Sequence, residues 1–520
     1  MSKIDIVKES LQFQPLIKKD SSITNLKDEY LIPDTHPDVD EILMIEALPQ
    51  ITEKDISGSK INIEGKVEYN IIYIPRDDGM MLNSVKYFEK FSSFLDIGED
   101  EHKVICEADC KLEHIQSRVM NERKIDIESS IKINVQVYKE VEFEVVKDIE
   151  STGGVQILRD SAHINRIVAD KDVELISKSM IRVGMDKPQI NKILNYSAMV
   201  HKKEVKMGED KVYLACYCKL NILYIGGEEN QVICLEDDVY ISKEEELQGV
   251  MTDMLSSITY EIADVDLSIE EDDLGEARII NTEFLVNGKL KVYSDENIDL
   301  IEDAYSTKFS VELMKENHKI GLVHSIKSME STIKDNLYIK EGDLKPEFIQ
   351  NICSNVVMQN TNIADEKINI EGIINVSVLY RTTSEEKAYG VLSGEIPYTI
   401  TLDVNGINSN MKTIVCCDLD SIEAAIEANT IAIKATIIAN AKVTYDVNKE
   451  FISEIIDGDG EVSNKNSSIT IYVIGKDESL WNLAKKFNTT VDDLIKINDI
   501  EDPDSIIEGE KLIIPGRACF

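Results

Sequence analysis

Two cysteine pairs are the residues whose spacing first suggests chemistry. Cys216 and Cys218 form a Cys-x-Cys step and Cys416-Cys417 a direct pair, either of which could clip a soft metal ion. A tetrahedral site needs further ligands, and near Cys416-Cys417 no His or Cys pair stands at ligand spacing, so a structural role is expected there. The segment from Asp457, DGDGE, begins like a calcium loop, but Val462 occupies the position where that loop needs its invariant glycine. Carboxylate clusters at Glu270–Asp273 and Glu244–Glu246 could serve as acid–base groups; solvated loops are the expected reading. The seven histidines are spread singly, as surface or satisfied core residues. No P-loop, HExxH or GxSxG occurs. The expectation is a non-enzyme with no catalytic residue, no cofactor and no metal site.

The composition narrows the partners. With 97 acidic against 56 basic residues the formal charge is −41, which disfavours nucleic acid and anionic lipid and suits protein or sugar partners. Apolar residues at 43% and charged ones at 29% are globular values. Asp5, Lys8 and Glu9 interrupt any signal-peptide core, and no run of about 18 apolar residues offers a membrane span. Nine cysteines, an odd and scattered set, fit a reducing compartment. A cytosolic chain of 520 residues, at roughly 100–200 residues per domain, should hold three or four domains.

The elements that would position these residues recur. INIEGKVEYNIIY (Ile61 to Tyr73), VYLACYCKLNILY (Val212 to Tyr224) and INIEGIINVSVLY (Ile368 to Tyr380) each run from an apolar residue to a tyrosine over the same interval. Every second residue is apolar or small, the mark of a strand with one face buried. Aligning the copies sets Cys216 and Cys218 against Gly65 and Val67 and against Gly372 and Ile374, so both cysteines are expected in core slots. Ahead of each strand lies a proline-led segment from Pro37, Pro188 or Pro346 whose apolar spacing predicts a short helix or turn. The proline-to-tyrosine interval is 36 residues in the first two copies and 34 in the third, which predicts a turn two residues shorter there. Further strand pairs close each copy, at Ile125–Phe143, Ile280–Ser294 and Ile431–Phe451. The reading is three mostly β domains with antiparallel, sandwich- or barrel-like sheets.

This pattern resembles the SPOCS domain, the spore-coat-associated repeat of endospore-forming bacteria, over most of residues 1–455. The expected domains are SPOCS-like repeats at 1–150, 151–310 and 311–456, a polar linker at 457–468, and a last unit at 469–517. In that unit Ile469, Ile471 and Val473 alternate, and Leu480, Leu483, Ala484 and Phe487 follow at helical spacing behind the capping candidates Glu478 and Ser479. Thr490 with Asp493 opens a second helix, and KLIIP (Lys511 to Pro515) ends the chain's pattern as a strand. The βααβ order and the stretches IYVIGKDESLWNLAKKF, NTTVDDLIKIND and DPDSIIEGEKLIIP resemble a LysM domain.

The resemblance implies a groove for N-acetylated sugars between the loop at Asp477 and the loop at Pro503–Ile507. Here Asp477-Glu478-Ser479 replaces the family's Gly-Asp-Thr, which adds a side chain and a charge and argues against glycan binding. Lys476, Asp477, Trp481, Lys485 and Ile507 are the expected protein-binding residues, with Trp481, the one tryptophan, divided between packing and a partner surface. Three such repeats before one LysM-like unit resemble spore-coat morphogenesis scaffolds of the mother-cell cytosol. That resemblance implies placement at the outer forespore membrane through a protein partner, the coat-basement ATPase called stage IV sporulation protein A, and contact with other coat proteins. The alternative is a peptidoglycan-binding wall or cortex protein.

Overall fold

The structure is a computed structural model, described here for residues 4–76, 81–98, 103–151, 154–340, 342, 344–384, 387–458, 469–502 and 506–516. The first repeat comprises β1 (Ile4–Phe13), β2 (Leu16–Leu31), β3 (Val39–Ser57), β4 (Lys60–Pro75), β5 (Asn83–Asp96), β6 (Val104–Asn121), β7 (Lys124–Lys139) and β8 (Val141–Ser151). The second comprises β9 (Val155–Ile164), β10 (Ile167–Arg182), β11 (Ile190–Gly208), β12 (Lys211–Gly226), β13 (Gln231–Glu246), β14 (Leu255–Glu271), β15 (Ala277–Tyr293) and β16 (Glu296–Ser306). The third uses β17 (Ser310–Tyr338), β18 (Pro346–Ala364), β19 (Lys367–Thr382), β20 (Tyr389–Asp403), β21 (Lys412–Glu427) and β22 (Thr430–Gly458).

Each repeat is a sandwich of two three-stranded antiparallel sheets, β3-β4-β5 on β2-β7-β6 in the first, with the same order in the others. Alternate residues of the central strands interdigitate: Ile61, Ile63, Val67 and Tyr69 of β4 meet Ile125, Ile127 and Ile131 of β7. Beyond the sandwich, β1 pairs with β8 and β9 with β16 as two-stranded ribbons. In the third repeat β17 and β22, 29 residues each, run through sheet and ribbon without a break. The expected closing pair is therefore two strands in the first repeat but part of one strand at Ile431–Phe451. Ile280–Ser294 is likewise essentially the single strand β15.

Tyr73, Tyr224 and Tyr380 occupy one place in three copies. Each phenol donates at 3.0 Å to a carbonyl 36 residues earlier, that of Pro37, Pro188 and Leu344. This corrects the expectation of a shorter third turn. Pro346 pairs with Thr382 at the register position where Val39 pairs with Pro75 and Ile190 with Gly226. The proline has moved by two residues; the interval has not changed.

The proline-led segments are strands, not helices or turns. β3, β11 and β18 each carry three bulges, of which the first two lie three residues apart, at Val39/Glu41 and Ile42/Met44, Ile190/Lys192 and Ile193/Asn195, and Pro346/Phe348 and Ile349/Asn351. Each bulge inserts a residue and resets the face, which turns a period of two into an apparent spacing of three to four. Glu244–Glu246 also departs from the expected loop: it ends β13, and Glu245 is nearly buried between Lys171 and Lys243, 2.6 Å from each. Glu270 and Glu271 end β14, and only Asp272 and Asp273 lie in the turn beyond it.

Cys216 and Cys218 are fully buried on the core face of β12, as the alignment requires. Cys417 is buried in the third core, while Cys416 faces the first repeat, where Lys111 Nζ lies 3.3 Å from its sulfur and 2.8 Å from the Cys417 carbonyl. Burial pushes the Cys416 thiol up to about 12. Among the described residues no three His, Cys, Asp or Glu side chains are grouped to hold a metal ion.

The repeats close on one another in an approximate threefold arrangement. Near the tyrosines the alternation stops and β4 is buried on both faces from Tyr69 to Pro75. The second face, Ile72 and Ile74, meets Leu223 and Ile225 of β12 and Leu379 of β19 in one shared apolar hub. The ribbons form a second hub from Leu11 and Phe13, Ala162 and Ile164, and Ile320 and Leu322.

Candidate functional site

After β22 the expected linker 457–468 begins with two residues still in that strand and otherwise lies outside the described residues. The last unit is β23 (Ile469–Val473), α1 (Leu480–Lys486), α2 (Val491–Asn498) and β24 (Lys511–Pro515). Both helices start on side-chain caps. Ser479 Oγ accepts from Asn482 N at 3.2 Å and Thr490 Oγ1 from Asp493 N at 3.0 Å, satisfying N–H groups that a helix start leaves open. Glu478, the other candidate, braces the turn instead: its carboxylate accepts from Gly475 N at 2.8 Å and from the Tyr472 phenol at 2.9 Å, and the Gly475 bond foremost lowers its pKa. Leu480, Leu483, Ala484 and Leu494 pack against Leu512 and Ile514 of β24.

Asp477 has φ of 58°, in the left-handed region that favours glycine. Its carboxylate is exposed, as is Lys476 beside it. The turn that carries Ile507 is tied to this one by Ile474 N donating to Glu510 O and Gly509 N to Ile474 O, both at 2.9 Å. Ile507 is 60% exposed; Pro503–Ser505 of the expected groove lie outside the described residues.

Trp481 and Lys485 are placed elsewhere. They lie one helical turn apart on α1 and converge on Asp303 of β16 in the second repeat. Trp481 Nε1 donates to Asp303 Oδ2 at 2.8 Å, and Lys485 Nζ reaches its two oxygens at 2.6 and 2.7 Å. Tyr305 meets the Trp481 ring edge-on at 4.9 Å between centroids and donates to the Thr489 carbonyl at 2.9 Å. Burial, then the Asp303 charge, raises the Tyr305 pKa. The five expected residues thus divide between a free end (Lys476, Asp477, Ile507) and an internal dock (Trp481, Lys485).

The outer face of the β23–β24 sheet is a site that the sequence reading passed over. Ile469, Ile471 and Val473 point away from the helices and are 63%, 67% and 53% exposed; Ile513, paired with Ile471, is 39% exposed. The inward face is Thr470 and Tyr472 against Ile514 and Leu512. The alternation of Ile469, Ile471 and Val473 is visible in the sequence, but the usual rule puts such a face inside. Four aliphatic side chains on one small sheet make a contiguous apolar surface of the kind that binds proteins.

Family models match the chain in four places. The model described as SipL, SPOCS domain, matches residues 38–120, 189–270 and 347–427, and the LysM domain model matches 472–515. The chain carries three SPOCS domains and a LysM domain. Each SPOCS match spans four strands, β3 to β6 in the first repeat, and the flanking strands β2 and β7 complete that sandwich. Both families are binding modules, and the SPOCS match ties the chain to sporulation. Comparison with curated proteins and with solved structures gives no match.

Proposed function

We propose that the protein is a non-catalytic scaffold of endospore formation. Its LysM domain binds a protein, the coat-basement ATPase (stage IV sporulation protein A), and so promotes encasement of the forespore by coat layers. The domain order resembles that of SipL, the morphogenesis protein that works with this ATPase. That resemblance also supports a site of action in the mother-cell cytoplasm at the outer forespore membrane. The observation that carries the reading is the exposed aliphatic sheet face of the LysM domain, Ile469, Ile471, Val473 and Ile513, beside the turn holding Asp477. A sugar groove presents polar groups and stacking rings; this face presents aliphatic area, with Lys511 opposite Val473 at its edge.

The test is a titration of the full chain against the purified ATPase and, separately, against chitin oligomers and peptidoglycan fragments. Ile471→Glu is expected to weaken ATPase binding by about 2 kcal/mol or more, as for an interface anchor, with circular dichroism unchanged. Glycan binding without ATPase binding would instead establish the wall-binding alternative.

A further inference from the structure

Next to the ribbon hub, one register position comes together from all three repeats. Leu16 pairs with Tyr138, Ile167 with Tyr293 and Val323 with Thr444, each as the last pair before a bulge. These six residues and Lys442 line one cavity of about 20 Å³. Two repeats put a phenol ring here and the third a threonine, whose smaller side chain leaves space on its side. A void needs roughly 10–15 Å³ to hold one water, so this one takes a single water or a monatomic ion.

The free polar groups at this void are donors. Lys442 Nζ donates to the Tyr293 phenol at 2.5 Å and lies over the rings of Tyr293 and Tyr138, 4.6 and 5.5 Å from their centroids. Among the described residues no carboxylate pairs with it. The two carboxylates that act on it from nearby are committed elsewhere, Glu107 to Lys291 at 2.6 Å and Asp170 to Lys289 at 2.7 Å. Tyr293 accepts from Lys442, which leaves its own proton without an acceptor among the described residues. Thr444 is 8% exposed and its hydroxyl has no partner. The acceptors of the wall are already used. Gln14 Oε1 takes Lys291 Nζ at 3.0 Å and Asn165 Oδ1 takes Val323 N at 3.0 Å, while the Tyr138 phenol donates away to Gln136 at 2.8 Å. Burial, then the Lys291 charge, pushes the Lys442 ammonium down to about 8, so it still carries its charge at pH 7.

We infer that this cavity binds one monatomic anion of the halide class, held by Lys442 Nζ and the hydroxyls of Tyr293 and Thr444. Native interiors satisfy nearly all buried polar groups, and a buried charge is costly unless it is paired. A water accepts from two of the three donors and must then place two protons of its own, for which the wall keeps no acceptor. A halide accepts from all three and neutralises the ammonium. Phosphate and carboxylate exceed the void. The ion thereby joins the second and third repeats against the Tyr138 ring of the first.

The experiment melts the full chain at pH 7 and constant ionic strength in sodium chloride and in sodium methanesulfonate, whose anion is too large for the void. A ligand that binds only the folded state raises the midpoint, so the parent chain is expected to melt higher in chloride. The difference should vanish in Lys442→Met and shrink in Thr444→Val, which keeps the test open if the first variant fails to fold. It should persist in Lys315→Met, which removes an exposed ion pair with Glu450. Crystals soaked in sodium bromide should show one anomalous peak in contact with Lys442 Nζ. Equal midpoints of the parent chain in the two salts, a difference kept in full by a folded cavity variant, or a cavity without bromide would overturn the inference and assign the void to water.

Discussion

At the scale of single residues, Glu46 gives the chain a pH dependence whose sign is fixed by geometry. Burial, with Glu68 adding repulsion, raises its carboxyl to about 7, against relief from Asn195 and Lys86. A carboxyl raised on folding holds its proton more tightly in the native state. Its contribution is therefore most favourable below about pH 4.5 and is lost as pH rises through 7. Glu46→Gln should match the parent protein at pH 4.5 and exceed its stability by up to about 3 kcal/mol at pH 8, since each tenfold change in proton affinity is worth about 1.36 kcal/mol. Urea midpoints at the two pH values check this, and equal differences at both would refute it. Gly65 and Gly372 are fixed by a different constraint. A Cβ on Gly65 would fall 2.2 Å from Phe91 Cζ, and one on Gly372 would fall 2.3 Å from Val357 O and 2.5 Å from Tyr398 Oη. Each glycine makes room for the aromatic ring directly across the ladder, whereas the second repeat sets Cys216 opposite Ile241. Gly372→Ala should cost about 1–3 kcal/mol or more by overpacking, measured as a shift in thermal midpoint, and the Tyr398→Leu background should restore only part of it, because the closest clash is with the Val357 backbone carbonyl.

At the scale of elements, the dock between α1 and β16 offers a one-site optical probe, because Trp481 is the only tryptophan of the chain. Asp303→Ala removes both the indole acceptor and the Lys485 partner. The expected result is a red-shifted tryptophan emission with the melting of the SPOCS repeats unchanged; an unmoved emission would show that Tyr305 and the Asn488–Thr307 bond hold the LysM domain without Asp303. Elements also mark how far the sequence could be read. The central strands β4, β12 and β19 were legible because every second residue, as from Ile61 to Tyr73 in the first, is apolar or small and faces one core. β3, β11 and β18 were not, because paired bulges such as those at Asp40 and Leu43 imitate helical spacing. The caps Ser479 and Thr490 were legible, since capping is local chemistry. The dock on Asp303 was hidden because it joins residues 178 and 182 positions apart and nothing in the local pattern signals it. The exposed sheet face was hidden for the opposite reason: Ile469, Ile471 and Val473 look like core.

At the scale of the whole molecule, the hub of Ile72, Leu223 and Leu379 makes the repeats depend on one another. Their inner cores are separate, yet the ends of β4, β12 and β19 are buried only when all three are present. Leu223→Ala, in the second repeat, should lower the stability of the assembled chain by about 2–5 kcal/mol. It should also speed hydrogen exchange at the hub ends of β4 and β19, although neither strand is altered. Exchange confined to β12 would show instead that the repeats are independent. The register places Glu46 of the first repeat, Ser197 of the second and Cys353 of the third at the same position, each opposite Asn70, Asn221 and Ser377 in turn. Three identical subunits around such an axis would have to put three carboxylates there or none, and three like charges in a buried ring repel strongly. Joining the copies in one polypeptide lifts that constraint. Each arm is free to diverge alone, and a single acid can stand where strict symmetry would forbid it.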